Sequence, residues 1–149
     1  MARSWLLPLL AIIALVSLSK FNVSGADLNG VNITLYMGSQ CGCCEEYVKH
    51  LHGLGARVEV RTVNDLRIIM REFRVPDSLQ SCHLSIVENY IVVGHMLAEV
   101  IKKLINEKPS LRGISLPGMP HGSPGMGGMK IEPFIIYGFN DTIIIYTTI

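Results

Sequence analysis

The sequence lacks an excess of charge of either sign and has few aromatic residues. It contains 13 Lys and Arg against 12 Asp and Glu in 149 residues, a formal net charge of +1. Binding to nucleic acid through bulk electrostatics needs a basic surplus, so this composition disfavours it. Aromatic residues make up 7% of the chain, which also argues against base-stacking surfaces. We therefore expect no nucleic-acid partner.

Charged residues as a class are also scarce, at 17% against 49% hydrophobic residues. Such a chain is too apolar to be intrinsically disordered. Its length fits one domain with a tail or an anchor. A domain of this size can bury a hydrophobic core without disulfide bonds, so the four cysteines are not needed for stability. Their role is better sought in chemistry.

The amino-terminal apolar run is short for a membrane span, which needs about 20 residues. Residues 5–18 are apolar except for Ser17, Arg3 precedes them, and the small residues 24–26 follow. This order is typical of an export signal. We predict that residues 1–26 are a signal peptide or an N-terminal membrane anchor, with cleavage left open. Residues 27–149 would then form an exported domain in the cell envelope, periplasmic or otherwise extracytoplasmic. Only residues 1–26 would contact the membrane.

The remaining sequence alternates between strand and helix patterns. The predicted strands are 31–37, 57–63, 83–87 and 90–93, and the predicted helices are 43–54, 64–73 and 98–107. Asn64 is the predicted cap of the second helix. The predicted buried face of that helix consists of Leu66, Ile69, Met70 and Phe73. The order β-α-β-α-β-β-α predicts an α/β fold of thioredoxin-like arrangement. A loop rich in Gly, Pro and Met at 113–130 follows, and then a C-terminal strand pair within 134–147, interrupted around 138–141.

Three of the four cysteines lie where the first strand meets the first helix, as Cys41-Gly42-Cys43-Cys44. Cys41 and Cys44 are about one helical turn apart, so their sulfurs can face one point. A helix N-terminus stabilises the thiolate, which is both the nucleophile and the metal ligand. Buried structural cysteines would account for one of these residues but not for three.

Further soft donors follow later in the chain. Cys82 and His83 begin the predicted hairpin, where Cys82 can serve as a metal ligand or a disulfide partner, and His83 as a ligand or a strand residue. His95 lies at the hairpin exit, where a structural role is favoured. His50 and His52, on the first helix, are expected at the surface.

The Gly/Pro loop contains further soft donors, which are Met119, His121, Met126 and Met129. A loop has no buried helical face, so these methionines are not explained as core residues of a helix. Thiolate, thioether and imidazole together favour Cu(I). Zinc has little use for methionine, and iron–sulfur clusters use other cysteine spacings. Carboxylates do not cluster with these residues, which disfavours calcium, magnesium and manganese. We therefore predict a copper site with room for more than one ion.

Four segments together resemble a known family. They are CGCC at 41–44, PDSLQSCH at 76–83, Tyr90 with Gly94-His95, and LPGMPHGSPGM at 116–126. The chain is similar over residues 31–126 to the exported, thioredoxin-like metal-binding family of formerly unknown function that includes CopG-like copper-resistance proteins. Leu84 and Met96-Leu97 depart from the family pattern, but neither departure removes a soft ligand.

The resemblance implies copper binding for copper handling or detoxification in the cell envelope. The implied ligands are Cys41, Cys44, Cys82, His83, Met119 and Met126, with Cys43 and His95 as further candidates. We take Cys41, Cys43, Cys44, Cys82, His83, Met119 and Met126 as the predicted metal site. The expected partners are the copper ion and a protein that donates or accepts it.

Two other functions are also compatible with the sequence. Cys41 and Cys44 could serve a thiol–disulfide or copper oxidoreductase, although Cys43 and the methionine loop have no purpose in simple thiol exchange. Alternatively, the four cysteines could form two disulfides in an exported structural or interaction domain.

Overall fold

The computed structural model describes residues 27–149, so the predicted signal or anchor at 1–26 lies outside the described residues. The strands are β1 (Asn32–Gly38), β2 (Arg57–Val63), β3 (His83–Val87), β4 (Tyr90–Val93), β5 (Gly113–Ser115), β6 (Ile135–Phe139) and β7 (Ile143–Thr148). The helices are α1 (Gly42–Gly53), α2 (Leu66–Glu72) and α3 (Ala98–Glu107), with a short 3₁₀ turn at Asp77–Leu79.

All seven strands form one mixed sheet in the order β2-β1-β3-β4-β5-β6-β7. β1 pairs in parallel with β2, and β4 in parallel with β5, while the other neighbours are antiparallel. Each parallel pair is joined through a helix, α1 or α3, because parallel strands need a long crossover connection. The predicted α/β class and the order of the first seven elements are confirmed.

The C-terminal part differs from the prediction in two places. The predicted loop at 113–130 begins with β5, whose three buried residues pair with β4 and β6. Three residues are too few to show a strand period in the sequence. β6 also continues through Gly138, which was predicted to interrupt the strand pair; a Cβ there would crowd Leu111. This glycine permits close packing and does not end the strand.

A smaller correction concerns the start of α2. The predicted cap was Asn64, but Asp65 caps the helix, and its side chain accepts a hydrogen bond from the Arg67 amide at 3.0 Å. Of the predicted buried face of this helix, Met70 is fully covered, whereas Leu66, Ile69 and Phe73 are half-buried. The helix is short and covers only part of the sheet face, so its side chains other than Met70 stay partly exposed to solvent.

Apolar side chains form two buried clusters, one on each face of the sheet. Leu35 of β1 packs in the first cluster with Leu51 of α1 and Ile101 of α3. The second contains Met70 of α2 and Phe139 of β6. None of the helices in the described part is both long and apolar enough to cross a membrane.

The pairing of β1 with β3 determines where the cysteines meet. Met37, near the end of β1, lies opposite His83, the first residue of β3. Since the two strands are antiparallel, the segment that leaves β1 and the segment that enters β3 lie at the same edge of the sheet. Cys41 and Cys82 are in these two segments.

The Gly/Pro loop packs on α1 through Gly125. This residue has a φ of +76°, and a Cβ at this position would lie 2.6 Å from the Tyr47 nitrogen and 2.8 Å from its Cα. The conformation favours glycine, and the close approach allows no side chain.

We expect Gly125→Ala to lower the free energy of unfolding by about 1–3 kcal/mol, because the substitution adds strain at a positive φ and a clash with Tyr47. Urea denaturation measures the change. Gly127→Ala is the matched control, since Gly127 has an ordinary φ and open space around its Cα. Equal stability of the two variants would contradict the close packing of Gly125 on Tyr47.

Candidate metal centre

The CGCC segment lies at the N-terminus of α1. The amide groups of Cys44 and Glu45 donate to the Cys41 carbonyl, each at 3.1 Å, and so close the first turn. Cys44 is buried, whereas Cys41 and Cys43 are half-buried. The amide dipoles of the first turn favour negative charge on sulfur at this position.

Sulfur atoms from three segments of the chain meet at this helix start. Cys41 and Cys44 are joined in a disulfide, and Cys43 and Cys82 are free thiols. The Cys43 sulfur lies 3.6 Å from that of Cys41 and 3.9 Å from that of Cys82. It is also 3.9 Å from the Met119 sulfur, so the loop contributes a thioether to the cluster. One of the two disulfides considered from the sequence is therefore formed.

Cys82 is the residue that joins the sulfurs to the imidazoles. Its sulfur lies 3.4 Å from His83 Nδ1 and 3.2 Å from His95 Nε2. Donor atoms that all lie within 4.8 Å of one another form two groups, the four cysteines and the set Cys82, His83 and His95. Both groups contain Cys82, and neither contains a carboxylate. All metal-ligating atoms of the two groups are thus soft sulfurs or borderline imidazole nitrogens.

Burial sets the protonation of these groups. It lowers the pKa of His83 to about 3, with the neighbouring His95 as a lesser cause, and it also lowers the pKa of His95. Both rings are therefore neutral at pH 7 and each keeps a lone pair for a ligand. Burial and the adjacent Cys43 raise the pKa of Cys82 to about 12. A thiolate here needs a cation beside it, which a soft metal ion would supply.

Tyr47 forms the wall behind the two histidines. Its ring stacks on His83 with centroids 4.7 Å apart and meets the His95 ring edge-on at 5.2 Å. The buried hydroxyl donates to the Met96 carbonyl at 3.0 Å, and burial raises its pKa well above the usual value. This packing restricts the rotation of both imidazoles.

The other side of the cluster opens to solvent. A cleft of about 550 Å³ lies over Cys41, Cys43, Cys82 and Met119 and extends to residues 38–40 and to Val63, Asn64 and Leu66. None of the residues that line it in the described part of the chain is charged. Met119 is 50% exposed at its rim, where the Ser81 hydroxyl fixes the loop by donating to the Gly118 carbonyl at 2.6 Å. Ions or a partner can reach the sulfurs from this side.

Six of the seven predicted site residues, all except Met126, come together. Met126 is half-buried, and within residues 27–149 no hydrogen-bond contact joins its sulfur to the cluster. His95, for which the sequence favoured a structural role, lies in the site. Its position directly after Gly94, at the exit of the hairpin that follows Cys82, was the signal available in the sequence. His52 is exposed, as expected, while His50 is half-buried and stacks against Tyr47.

Alkylation of the denatured, non-reduced protein should modify two cysteines, and reduction should expose all four. Peptide mass spectrometry should place the labels on Cys43 and Cys82, since the disulfide protects the other two. A disulfide that includes Cys43 or Cys82 would contradict the pairing.

Comparison with known proteins places this site in a family. The family described as "Protein of unknown function, DUF411" matches residues 79–126, which include Cys82, His83, His95 and both Met119 and Met126. No curated protein sequence gives a significant match.

Two solved structures match the chain over most of its length. They are titled "Copper resistance protein copG- Form 2" and "Copper resistance protein copG- Form 1", and each is 31% identical and covers 80% of this chain. The TM-scores are 0.74 and 0.73, with 98% and 97% of the matched chains covered. The chain therefore belongs to the family of the CopG copper-resistance proteins, and its residues 79–126 also match the family described as DUF411.

Proposed function

We propose that this protein binds copper for copper handling or detoxification in the cell envelope, holding Cu(I) with Cys, His and Met ligands. The observation that carries the proposal is the convergence of three cysteine sulfurs and two neutral imidazoles on the Cys82 sulfur. The titles of the two similar structures support the choice of copper.

The donor set itself favours copper over other metals. Thiolate, thioether and imidazole are the ligands that Cu(I) prefers, while a methionine sulfur beside Cys43 adds little for zinc. The absence of carboxylates from both donor groups of the described chain disfavours calcium, magnesium and manganese.

The two donor groups suggest more than one ion. Because both contain Cys82, its thiolate would be shared between an ion held mainly by sulfur and an ion held with His83 and His95. Met119 would complete the sulfur-rich group from the loop. Met126, which lies in the same loop, remains a proposed ligand.

The proposed function also includes export of the domain and a protein partner. Residues 1–26 would export the domain, as a cleaved signal or as an anchor. A copper donor or acceptor protein would approach through the uncharged cleft over Cys43 and Met119. The thioredoxin-like label for the first four strands is supported by their order β2-β1-β3-β4 and by the helix that follows β1.

Elemental analysis of the protein purified from copper-supplemented cells is the primary test. We expect more than one copper per chain and little zinc, because the donor set contains methionine and no carboxylate. Protein free of copper, or loaded with zinc under these conditions, would contradict the proposed function.

Reduction of the Cys41–Cys44 disulfide should raise the number of Cu(I) ions bound, because it provides two more thiolates. Anaerobic competition titration with a Cu(I) chelator measures the stoichiometry of the reduced and the oxidised protein. The double variant Cys41→Ser with Cys44→Ser should bind no more than the oxidised protein. If reduction leaves the stoichiometry of the wild type unchanged, or if the double variant binds as many ions as the reduced wild type, these thiols are not ligands.

Cys82→Ser should lower Cu(I) affinity more than any other single substitution, since Cys82 belongs to both donor groups. Met119→Leu should have a smaller effect in the same titration because its thioether contacts Cys43 alone among the thiols. Met129→Leu is the control, because Met129 is 80% exposed. Equal affinities for the Cys82 and Met129 variants would contradict the shared role of Cys82.

A thiol–disulfide oxidoreductase is the second candidate, favoured by the Cys43 thiol 3.6 Å from the Cys41 sulfur of the disulfide. The Cys43 thiolate could attack Cys41, forming a Cys41–Cys43 disulfide and releasing the Cys44 thiolate. An insulin-reduction assay on metal-free protein separates the candidates. Rapid turnover favours the enzyme, and turnover at background level favours the copper-binding protein.

A further inference from the structure

The buried imidazole of His95 is held by a hydrogen bond from outside the metal-ligating groups. Its Nδ1 lies 2.6 Å from the carbonyl oxygen of Pro124, in the Gly/Pro loop. A carbonyl oxygen can only accept a hydrogen bond, so Nδ1 carries the proton. Because the ring is neutral at pH 7, the other nitrogen, Nε2, keeps its lone pair. This lone pair faces the Cys82 sulfur at 3.2 Å.

A histidine that binds a metal ion needs this arrangement. Such a histidine usually donates its second N–H to a carbonyl, a carboxylate or a water molecule, which fixes both the tautomer and the orientation of the ring. The opposite tautomer of His95 would place the Nδ1 lone pair against the lone pairs of the Pro124 oxygen. The hydrogen bond to Pro124 therefore assigns the free lone pair of His95 to the side of the cysteines.

The Pro124 carbonyl belongs to a tight turn formed by residues 123–126. The Met126 amide donates to the Ser123 carbonyl at 2.9 Å, which closes a four-residue β-turn. Proline fixes a negative φ at the second position, and Gly125 has a φ of +76° at the third. Of turn types I, II, I′ and II′, type II alone combines these two angles. The sequence Ser-Pro-Gly-Met thus forms a type II turn.

The turn type determines where the carbonyl of its second residue points. The ψ angle of that residue is about −30° in a type I turn and about +120° in a type II turn. A change of this size would turn the central peptide over and direct the Pro124 carbonyl away from the His95 ring. A type II turn requires a positive φ at its third position, which glycine adopts without strain. Gly125 therefore keeps the carbonyl directed at His95.

Contacts on both sides hold this turn in place. A Cβ on Gly125 would lie only 2.6 Å from the Tyr47 nitrogen, so the turn lies directly against the backbone of α1. The buried Ser123 donates to the Pro120 carbonyl through its amide at 3.2 Å and through its hydroxyl at 2.7 Å. The Tyr47 ring also meets the His95 ring edge-on. One residue of α1 thus contacts both the imidazole and the turn that holds it.

We propose that the turn at residues 123–126 positions His95, with the Pro124 carbonyl fixing the Nδ1–H tautomer and directing the Nε2 lone pair to the metal. Gly125 is the residue on which this role depends, because it permits both the type II turn and the contact with α1. The Gly/Pro loop then acts on the site through a backbone carbonyl as well as through the Met119 thioether. The role toward copper rests on the proposed function, whereas the tautomer is a property of the chain without metal.

Long-range ¹H–¹⁵N NMR of the metal-free, full-length protein identifies the protonated nitrogen of His95. We expect protonated Nδ1 and unprotonated Nε2 in the wild type. Gly125→Ala should shift the population toward the Nε2–H form, because alanine disfavours the type II turn and crowds Tyr47. A wild-type ring protonated on Nε2 overturns the proposal without any variant.

Gly55→Ala is the matched control for this experiment. Gly55 has a φ of +87° and follows the C-terminal end of α1, whereas the cysteines lie at the other end of that helix. A Cβ there would crowd the Asn29 side chain. The substitution therefore introduces the same kind of strain away from His95, and the variant should keep the wild-type tautomer.

Cu(I) titration of the same proteins provides the second readout. Loss of a group that orients a metal-bound histidine typically weakens binding about 10- to 100-fold, and we expect this loss for Gly125→Ala but not for Gly55→Ala. If Gly125→Ala keeps both the tautomer and the affinity, the turn has no positioning role. An equal loss of affinity in the two variants would attribute the effect to stability and overturn the proposal. If the wild type binds no copper, the proposed function fails, and the NMR result still decides whether Pro124 fixes the tautomer.

Discussion

The antiparallel pairing of β1 with β3 is the constraint on which the site depends. It places the residue before β3, Cys82, beside the turn that carries Cys41 to Cys44, although the two segments are almost 40 residues apart in the chain. The hydrogen bonds of the ladder and the apolar side chains beneath it hold these segments in register. A shift by one residue would turn His83 to the opposite face of the sheet, away from Tyr47 and the sulfurs.

Burial gives the site its chemistry. The histidines are neutral because the surrounding apolar core and Tyr47 disfavour the imidazolium form, and Cys82 resists ionisation for the same reason. Such a site disfavours an uncompensated imidazolium or thiolate. A metal cation beside the sulfur would compensate the negative charge of the thiolate. The open cleft on the other side keeps Cys43 and Met119 within reach of solvent. The imidazoles of His83 and His95 are buried on one side, and the sulfurs of Cys43 and Met119 are accessible on the other. This arrangement suits the exchange of a soft metal ion.

Local patterns were sufficient for much of the fold and of the donor list. Strand alternation and helical periodicity are local properties, and they predicted β2, β3, β4 and α3 with the observed bounds. β5 was missed because three residues carry no period, and its identity as a strand comes from pairing with β4 and β6. Gly138 was misread because its role depends on Leu111, a residue outside the strand.

The sequence by itself determined the kind of chemistry: cysteines at a helix start, a Cys-His pair and methionines in a loop are soft donors in any fold. Tertiary structure decided which of them meet. It brought His95 into contact with Cys82 and Met119 into contact with Cys43, and among the described residues no such contact includes Met126. It also paired Cys41 with Cys44 and left Cys43 and Cys82 as thiols. The physical reason is that ligand type is a property of one side chain, whereas a site requires distances that only strand pairing and loop packing determine.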